Sequence, residues 1–160
     1  MAPSVYIETS VISLLAARPS RDLVVAGHQR VTEDFWTRHR ERYELRVSQF
    51  VWDEIARGDS RAAQRRIELV RKIPVLAVDD RVGALAELLV SQSAIPEEAR
   101  LDAAHVAIAA VHAVDYLLTW NLKHIAHAIV RRRIEAACRS AGYEVPVLCT
   151  PEELMGEFAP

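Results

Sequence analysis

Apolar residues fall along this chain in two patterns. Four short runs, Val5 to Ile7, Val75 to Val78, Tyr116 to Leu118 and Val147 to Cys149, are too brief for helices and too continuous for strands with one wet face. They predict buried parallel strands. A fifth candidate, Leu45 to Ser48, lies between a long polar segment and the next apolar turn. Between these runs, apolar residues recur at three- and four-residue intervals in Arg21 to Tyr43, Ser60 to Lys72, Arg81 to Ser91, Asp102 to Ala113 and Leu122 to Ser140. That spacing predicts helices. Strand alternating with helix is the pattern of an α/β layer fold, here a five-stranded parallel sheet flanked by helices. Only five glycines in 160 residues tilt the balance toward helix. The stretch Ala103 to Ala113 is apolar on nearly every side, which predicts a helix buried against the sheet.

Punctuation is short: Arg18-Pro19-Ser20, Arg57-Gly58-Asp59-Ser60, Ile95-Pro96-Glu97 and Ala141-Gly142-Tyr143. With no repeat or linker, a single domain over 1–160 is expected, and a chain of this size buries roughly 70% of its unfolded surface without a disulfide or structural metal. Cys138 and Cys149 then read as packing residues in a reducing compartment. The N-terminus lacks a basic segment followed by a long apolar run, and no stretch approaches the roughly 18 uncharged apolar residues of a membrane span. A cytoplasmic protein with no membrane partner is expected.

A net charge of −2 argues against a general polyanion-coating protein. The basic residues are nonetheless almost all arginine, 18 against Lys72 and Lys123, and they concentrate in Arg57 to Lys72 and Lys123 to Arg139. Arginine favours bidentate contacts to carboxylate or phosphate, although solvated helix faces carry the same composition.

In an open parallel sheet, ligands bind beyond the carboxyl ends of the strands, so the residues following each apolar run are the ones to inspect. Glu8 follows the first run and precedes Thr9 and Ser10. It is either a site carboxylate or a solvated residue beside a helix cap. Glu54 shares a helical stripe with Val51, Ile55 and Gly58, where an apolar side chain is expected, and a carboxylate there needs a partner. Asp53 is its rival, turned about 100° away by helical phase. Asp102 opens the apolar helix, a good position for an N-cap, and His105 lies one turn on, where it can orient Asp102 or contact substrate. After the run Tyr116 to Leu118 come Thr119, Asn121, Lys123 and His124; Thr119 and Asn121 can hold a water or a phosphate oxygen, or simply build a turn.

Three acids leaving one sheet edge, with no cysteine cluster, select Mg²⁺ or Mn²⁺ over zinc. Such ions orient and acidify an attacking water during phosphodiester hydrolysis. A metal-dependent nuclease is the expectation. The rival His124-x-x-His127 zinc reading, with His105 and His112, lacks the three or four convergent ligands zinc needs. Neither a Gly-x-Ser-x-Gly elbow nor a phosphate-cradling glycine loop is present.

The segments Tyr6 to Ser10, Trp52 to Ile55, Asp102 to Ala109 and Tyr116 to Ile125 together resemble, in order and spacing, a PIN-domain ribonuclease of the VapC-like toxins. The resemblance implies a three-layer sandwich around a five-stranded parallel sheet. It implies a Mg²⁺ or Mn²⁺ site with Glu8, Glu54 and Asp102 as ligands and Asn121 at the last acidic position, and Thr9, Ser10, His105, Thr119 and Lys123 near RNA. It further implies a homodimer neutralised by a small antitoxin. Two departures stand out: Glu8 replaces the usual aspartate, and Asn121 is neutral where many members keep a carboxylate. A catalytically weak RNA- or protein-binding module is therefore the alternative. The segment Arg21 to Tyr43 is unusually long for its place between Glu8 and Glu54 and can carry partner or substrate contacts, with Phe35, Trp36, Arg38, His39 and Arg40 able to stack on RNA or pack in the core.

Overall fold

A computed structural model of the protein describes residues 1–156. Five strands, β1 (Ser4–Ile7), β2 (Glu44–Ser48), β3 (Val75–Leu76), β4 (Tyr116–Leu118) and β5 (Val147–Cys149), pair in parallel in the order β3-β2-β1-β4-β5. Eight α-helices accompany them among the described residues: α1 (Thr9–Ala16), α2 (Leu23–Asp34), α3 (Gln49–Ile55), α4 (Ser60–Val70), α5 (Asp80–Ser91), α6 (Arg100–Val111), α7 (Ala128–Ser140) and α8 (Pro151–Met155). The α/β architecture with a five-stranded parallel sheet is therefore the one the apolar pattern predicts, but the run Val75 to Val78, expected as a buried strand, pairs only over Val75–Leu76 at the sheet edge with Val75 and Val78 exposed. None of these helices is long and apolar enough to cross a membrane.

The strand order reverses at β1. From there the chain steps outward through β2 and β3, then returns across to β4 and continues to β5. Because parallel crossovers are right-handed, opposite directions of travel send connecting helices to opposite faces. The packing agrees: α1 lies against α2 and α4, whereas α5 lies against α6 and α7. Val5, Tyr6, Ile7, Leu117 and Leu118, on the two central strands, are fully buried, as is most of α6 from Ala103 to Ala109. Small alanines let α6 sit close to its neighbours.

Three local features depart from the periodicity. The long segment expected to run helically to Tyr43 changes character after Asp34, into a π turn (Phe35–His39) and a 3-10 turn (Arg40–Arg42). The widened turn lets the sequence neighbours Phe35 and Trp36 both sink into the core, so these aromatics pack rather than face solvent. The helix expected from Leu122 begins only at Ala128. Asn121 Oδ1 accepts the backbone N–H groups of Lys123 and His124 (3.3 and 2.9 Å), and its carbonyl accepts that of Ala126 (2.8 Å), which holds the chain in a turn. His127 then caps α7 through Nδ1. Finally, α6 starts at Arg100, so Asp102 sits inside its first turn and makes no capping bond.

Much of the arginine excess is structural. Arg65 donates to the Ala16 carbonyl (3.3 Å) at the end of α1, and Arg66 donates to the carbonyls of Ile55 and Arg57 (2.9 and 2.7 Å) at the end of α3. Arg131 forms a bidentate pair with Glu153 (3.1 and 2.8 Å). The two cysteines are buried and unpaired. Burial pushes the Cys138 thiol up to about 11, and burial with the nearby Glu153 charge pushes Cys149 up to about 12. Neither is a thiolate at neutral pH, so an aromatic disulfide reagent at pH 8 is expected to titrate no thiol in the native protein and two after denaturation. Rapid native labelling of either would contradict this packing.

Candidate metal centre

The topological switch point lies between β1 and β4, and a crevice at the carboxyl ends of such strands is where open parallel sheets bind ligands. Glu8 stands there, immediately after β1, with its backbone N–H on the Leu118 carbonyl (3.0 Å). Its side chain is 5% exposed, so one carboxylate is held almost out of water. Three donors fix it through one oxygen: Oε2 accepts from the Ser10 N–H (3.1 Å), the Ser10 hydroxyl and the Thr119 hydroxyl (2.8 Å). Those hydroxyls are themselves aimed, because the Trp120 N–H donates to Ser10 Oγ (2.8 Å) and the Asn121 N–H donates to Thr119 Oγ1 (2.9 Å). The loops after β1 and β4 are thereby laced together around a single carboxylate.

Glu54 arrives from α3. Its helical phase turns it inward while Asp53 is exposed and bonded to Gln49 (2.8 Å). Thr9 Oγ1 donates to Glu54 Oε1 (2.8 Å), and His105 Nε2 hydrogen-bonds the same oxygen. Burial pushes the Glu54 carboxyl up, but the His105 and Thr9 hydrogen bonds and the field of Arg57 outweigh it and hold the group below its ordinary value. It stays ionised. Ligand atoms of Glu8, Glu54 and His105 all lie within 4.8 Å of one another, the only such grouping of metal-ligating side chains among the described residues.

Asp102 is half-buried on α6 beside this group rather than inside it. Burial raises its carboxyl above the usual aspartate range, against the opposing influence of the neighbouring Asn121 and His124. Asp102 thus lies in the neighbourhood of Glu54, His105 and Asn121. No lysine or arginine side chain comes within ion-pair distance of Glu8, Glu54 or Asp102 among the described residues. Glu8 Oε1 and Glu54 Oε2 accept no hydrogen bond there either. Two free carboxylate oxygens and a third acid nearby, none in contact with a lysine or arginine, suit a hard divalent ion. The residues present thus fit Mg²⁺ or Mn²⁺ chemically.

The other sequence candidates take supporting places. The hydroxyls of Thr9, Ser10 and Thr119 are engaged with Glu8 and Glu54 rather than turned to solvent. Lys123 is exposed on the turn after β4. His124 and His127 do not form a ligand pair: His127 caps α7, and His112 Nε2 bonds the Ala77 carbonyl (2.7 Å). Sequence reasoning missed Tyr6 and Ser48, both fully buried below the site. Tyr6 Oη bonds Ser48 Oγ (2.7 Å) and His105 Nδ1 (2.6 Å). A tyrosine amid valine and isoleucine in a strand buried on both faces was the available signal, since its hydroxyl had to find a partner.

Fold and site together define an α/β protein with an acidic cluster at the switch point of a parallel sheet. Comparison with known proteins adds no match, neither to a protein-family model nor to a curated protein.

Proposed function

We propose that the protein is a Mg²⁺- or Mn²⁺-dependent endoribonuclease of the PIN-domain type. The observation that carries this reading is the grouping of Glu8 and Glu54 with His105 within 4.8 Å, with Asp102 near Glu54 and no lysine or arginine in ion-pair contact with the three acids among the described residues. Glu8 and Glu54 would hold the ion through their free oxygens, with Asp102 directly or through a water. When bound, the ion supplies a Lewis acid for the scissile phosphate and an acidified water. The chain's own residues do the rest. Ser10 and Thr119 keep Glu8 from rotating away, and Thr9 does the same for Glu54. Lys123, exposed on the adjacent turn, and His124 would meet the RNA backbone.

On this reading the protein is a cytoplasmic toxin restrained by a small antitoxin and assembled as a homodimer. Leu23, Val24 and Val25 at the start of α2 are exposed apolar residues, the kind of surface a partner chain covers. A binding module without catalysis is the second reading, favoured by Asn121, whose side chain organises a turn instead of supplying a charge. Incubation of single-stranded RNA with the protein separates them: cleavage that appears with Mn²⁺, disappears with chelator and is lost in Asp102→Asn supports the nuclease, while RNA binding with no cleavage under any divalent ion supports the module.

The raised Asp102 carboxyl makes the pH dependence specific. Its pKa in the folded chain lies above the unfolded value of about 3.9, so the folded state binds the extra proton and Asp102 contributes more to stability as pH falls through that folded pKa. Bound metal needs the ionised form, so Mn²⁺ affinity falls over the same interval. Melting curves of wild type and Asp102→Asn across pH 4–8 are expected to show the wild type gaining on the variant toward acid without metal and losing its Mn²⁺ stabilisation there. Parallel pH profiles for the two proteins would contradict the assignment.

A further inference from the structure

Beneath the acids runs a buried line of hydrogen bonds that the proposed chemistry does not itself require. It begins at the Val51 N–H, which reaches Ser48 Oγ (3.4 Å), passes to Tyr6 Oη (2.7 Å) and His105 Nδ1 (2.6 Å), and ends where His105 Nε2 meets Glu54 Oε1. Ser48, Tyr6 and His105 are fully buried, and Phe50 packs edge-on against the imidazole at 6.1 Å. Four elements contribute, namely β1, β2, α3 and α6.

The protons along this line can be assigned by counting acceptors. The Ser48 hydroxyl has only Tyr6 Oη as a partner able to accept its proton, since its other contact is a donor, the Val51 N–H. Ser48 therefore donates to Tyr6, and Tyr6 donates to His105 Nδ1. That nitrogen must be bare, and the ring proton sits on Nε2, facing a carboxylate oxygen that accepts it. A proton on Nδ1 would turn the Tyr6 hydroxyl toward Ser48 and leave the buried Ser48 hydroxyl without a side-chain acceptor. Only one arrangement satisfies every group.

We propose that Ser48 and Tyr6 hold the His105 ring with Nδ1 accepting from Tyr6 and Nε2 facing Glu54, and that His105 so held is a positioning residue that grips Glu54 Oε1 and leaves Glu54 Oε2 free for a ligand. This deepens the metal-dependent reading and rests on it. Thr9 donates to the same oxygen from the opposite element, so Glu54 is held at one oxygen from two sides and offers the other. Glu8 is built the same way, three donors on Oε2 and none on Oε1. Each carboxylate is thus a one-oxygen ligand with a fixed direction, and partners behind a metal ligand commonly change affinity by about 10–100-fold when removed.

The test uses the full chain. In metal-free wild type, long-range ¹H–¹⁵N correlation of the imidazoles is expected to show His105 with a bare Nδ1 and a protonated Nε2; a protonated Nδ1 overturns the proposal. Tyr6→Phe, which keeps the ring and removes the donor, is expected to mix the tautomers and weaken Mn²⁺ binding about 10–100-fold by calorimetry. His105→Gln, which can still donate to Glu54, is expected to retain more Mn²⁺ affinity than His105→Leu. Unchanged Mn²⁺ affinity in folded Tyr6→Phe and His105→Leu would overturn the positioning role while leaving the nuclease reading intact. Strong ¹⁴N coupling in the pulsed electron paramagnetic resonance of bound Mn²⁺, together with equal loss in the Gln and Leu variants, would make His105 a ligand and overturn it too. Wild type that takes up no Mn²⁺ at all, yet shows the Nε2–H tautomer, would bring down the metal reading and the positioning role with it.

Discussion

Glu8→Gln is expected to fold, to resist heat better than the wild type when no metal is present, and to cut RNA at least about 100-fold more slowly. The structural half follows from the hydrogen bonds. A glutamine carbonyl at the Oε2 position still accepts from Ser10 and Thr119, and its amide replaces a charge that faces Glu54 across less than 4.8 Å. Two carboxylates so close, in a crevice that holds Glu8 almost out of water, repel each other, and neutralising one relieves the strain. The catalytic half follows from the same substitution. An amide oxygen or nitrogen aimed at the ion brings no charge, and an ion that stabilises the transition state by several kcal/mol loses a principal anchor. At about 1.4 kcal/mol per tenfold in rate, that loss is at least about 100-fold. Stability gained and activity lost together is the signature of a site built for function. Melting temperatures with chelator and initial rates with Mn²⁺ check both halves; a Glu8→Gln variant that cleaves at the wild-type rate would remove Glu8 from the site.

The largest effect on stability is expected at Ile108. It lies on α6, fully buried, in a helix whose buried residues run almost continuously from Ala103 to Ala110 and which packs on α5, α3 and β4. The surrounding alanines are short and fixed to the backbone, so they cannot reach into a space left by a lost side chain. Ile108→Ala is expected to cost about 2–5 kcal/mol, of the larger kind where a cavity cannot collapse. For a domain of this size that lowers the melting temperature by about 4–20 °C. Asp102 and His105 sit on the same helix, so Mn²⁺ binding below the melting point reports whether α6 stays in place. A change of less than about 1 kcal/mol in chemical denaturation would mean that α6 is not the packed centre of the fold.

The central strands β1 and β4 were legible because burial on both faces leaves a continuous apolar run, the carboxyl end of β1 pointed to Glu8, and helix phase and helix start pointed to Glu54 and Asp102. Helical phase separated Glu54 from Asp53 correctly. What stayed hidden was pairwise. Strand order is not written in any one segment, so the switch point between β1 and β4, which explains why the loops around Glu8 and Thr119 meet, appeared only with the sheet. Periodicity began a helix at Leu122, six residues early, because it counts apolar spacing and is blind to the Asn121 side chain, whose oxygen captures two backbone N–H groups of the turn. It likewise passed over the π turn at Phe35, where two adjacent aromatics compete for the core. Thr9, Ser10 and Thr119 carried the right chemistry, but their engagement with the carboxylates depends on distances no spacing rule supplies. Tyr6 and Ser48 were visible only as strand residues, and their link to His105 spans nearly a hundred positions.

The central claim is that Glu8, Glu54 and Asp102 share one divalent ion, and the most direct measurement is anomalous diffraction from a crystal soaked in Mn²⁺. A single strong peak is expected in the crevice beyond β1 and β4, within bonding distance of Glu8 Oε1 and Glu54 Oε2 and reached by Asp102 directly or through one water. An empty crevice at saturating Mn²⁺, or a peak held by residues elsewhere on the molecule, would contradict it.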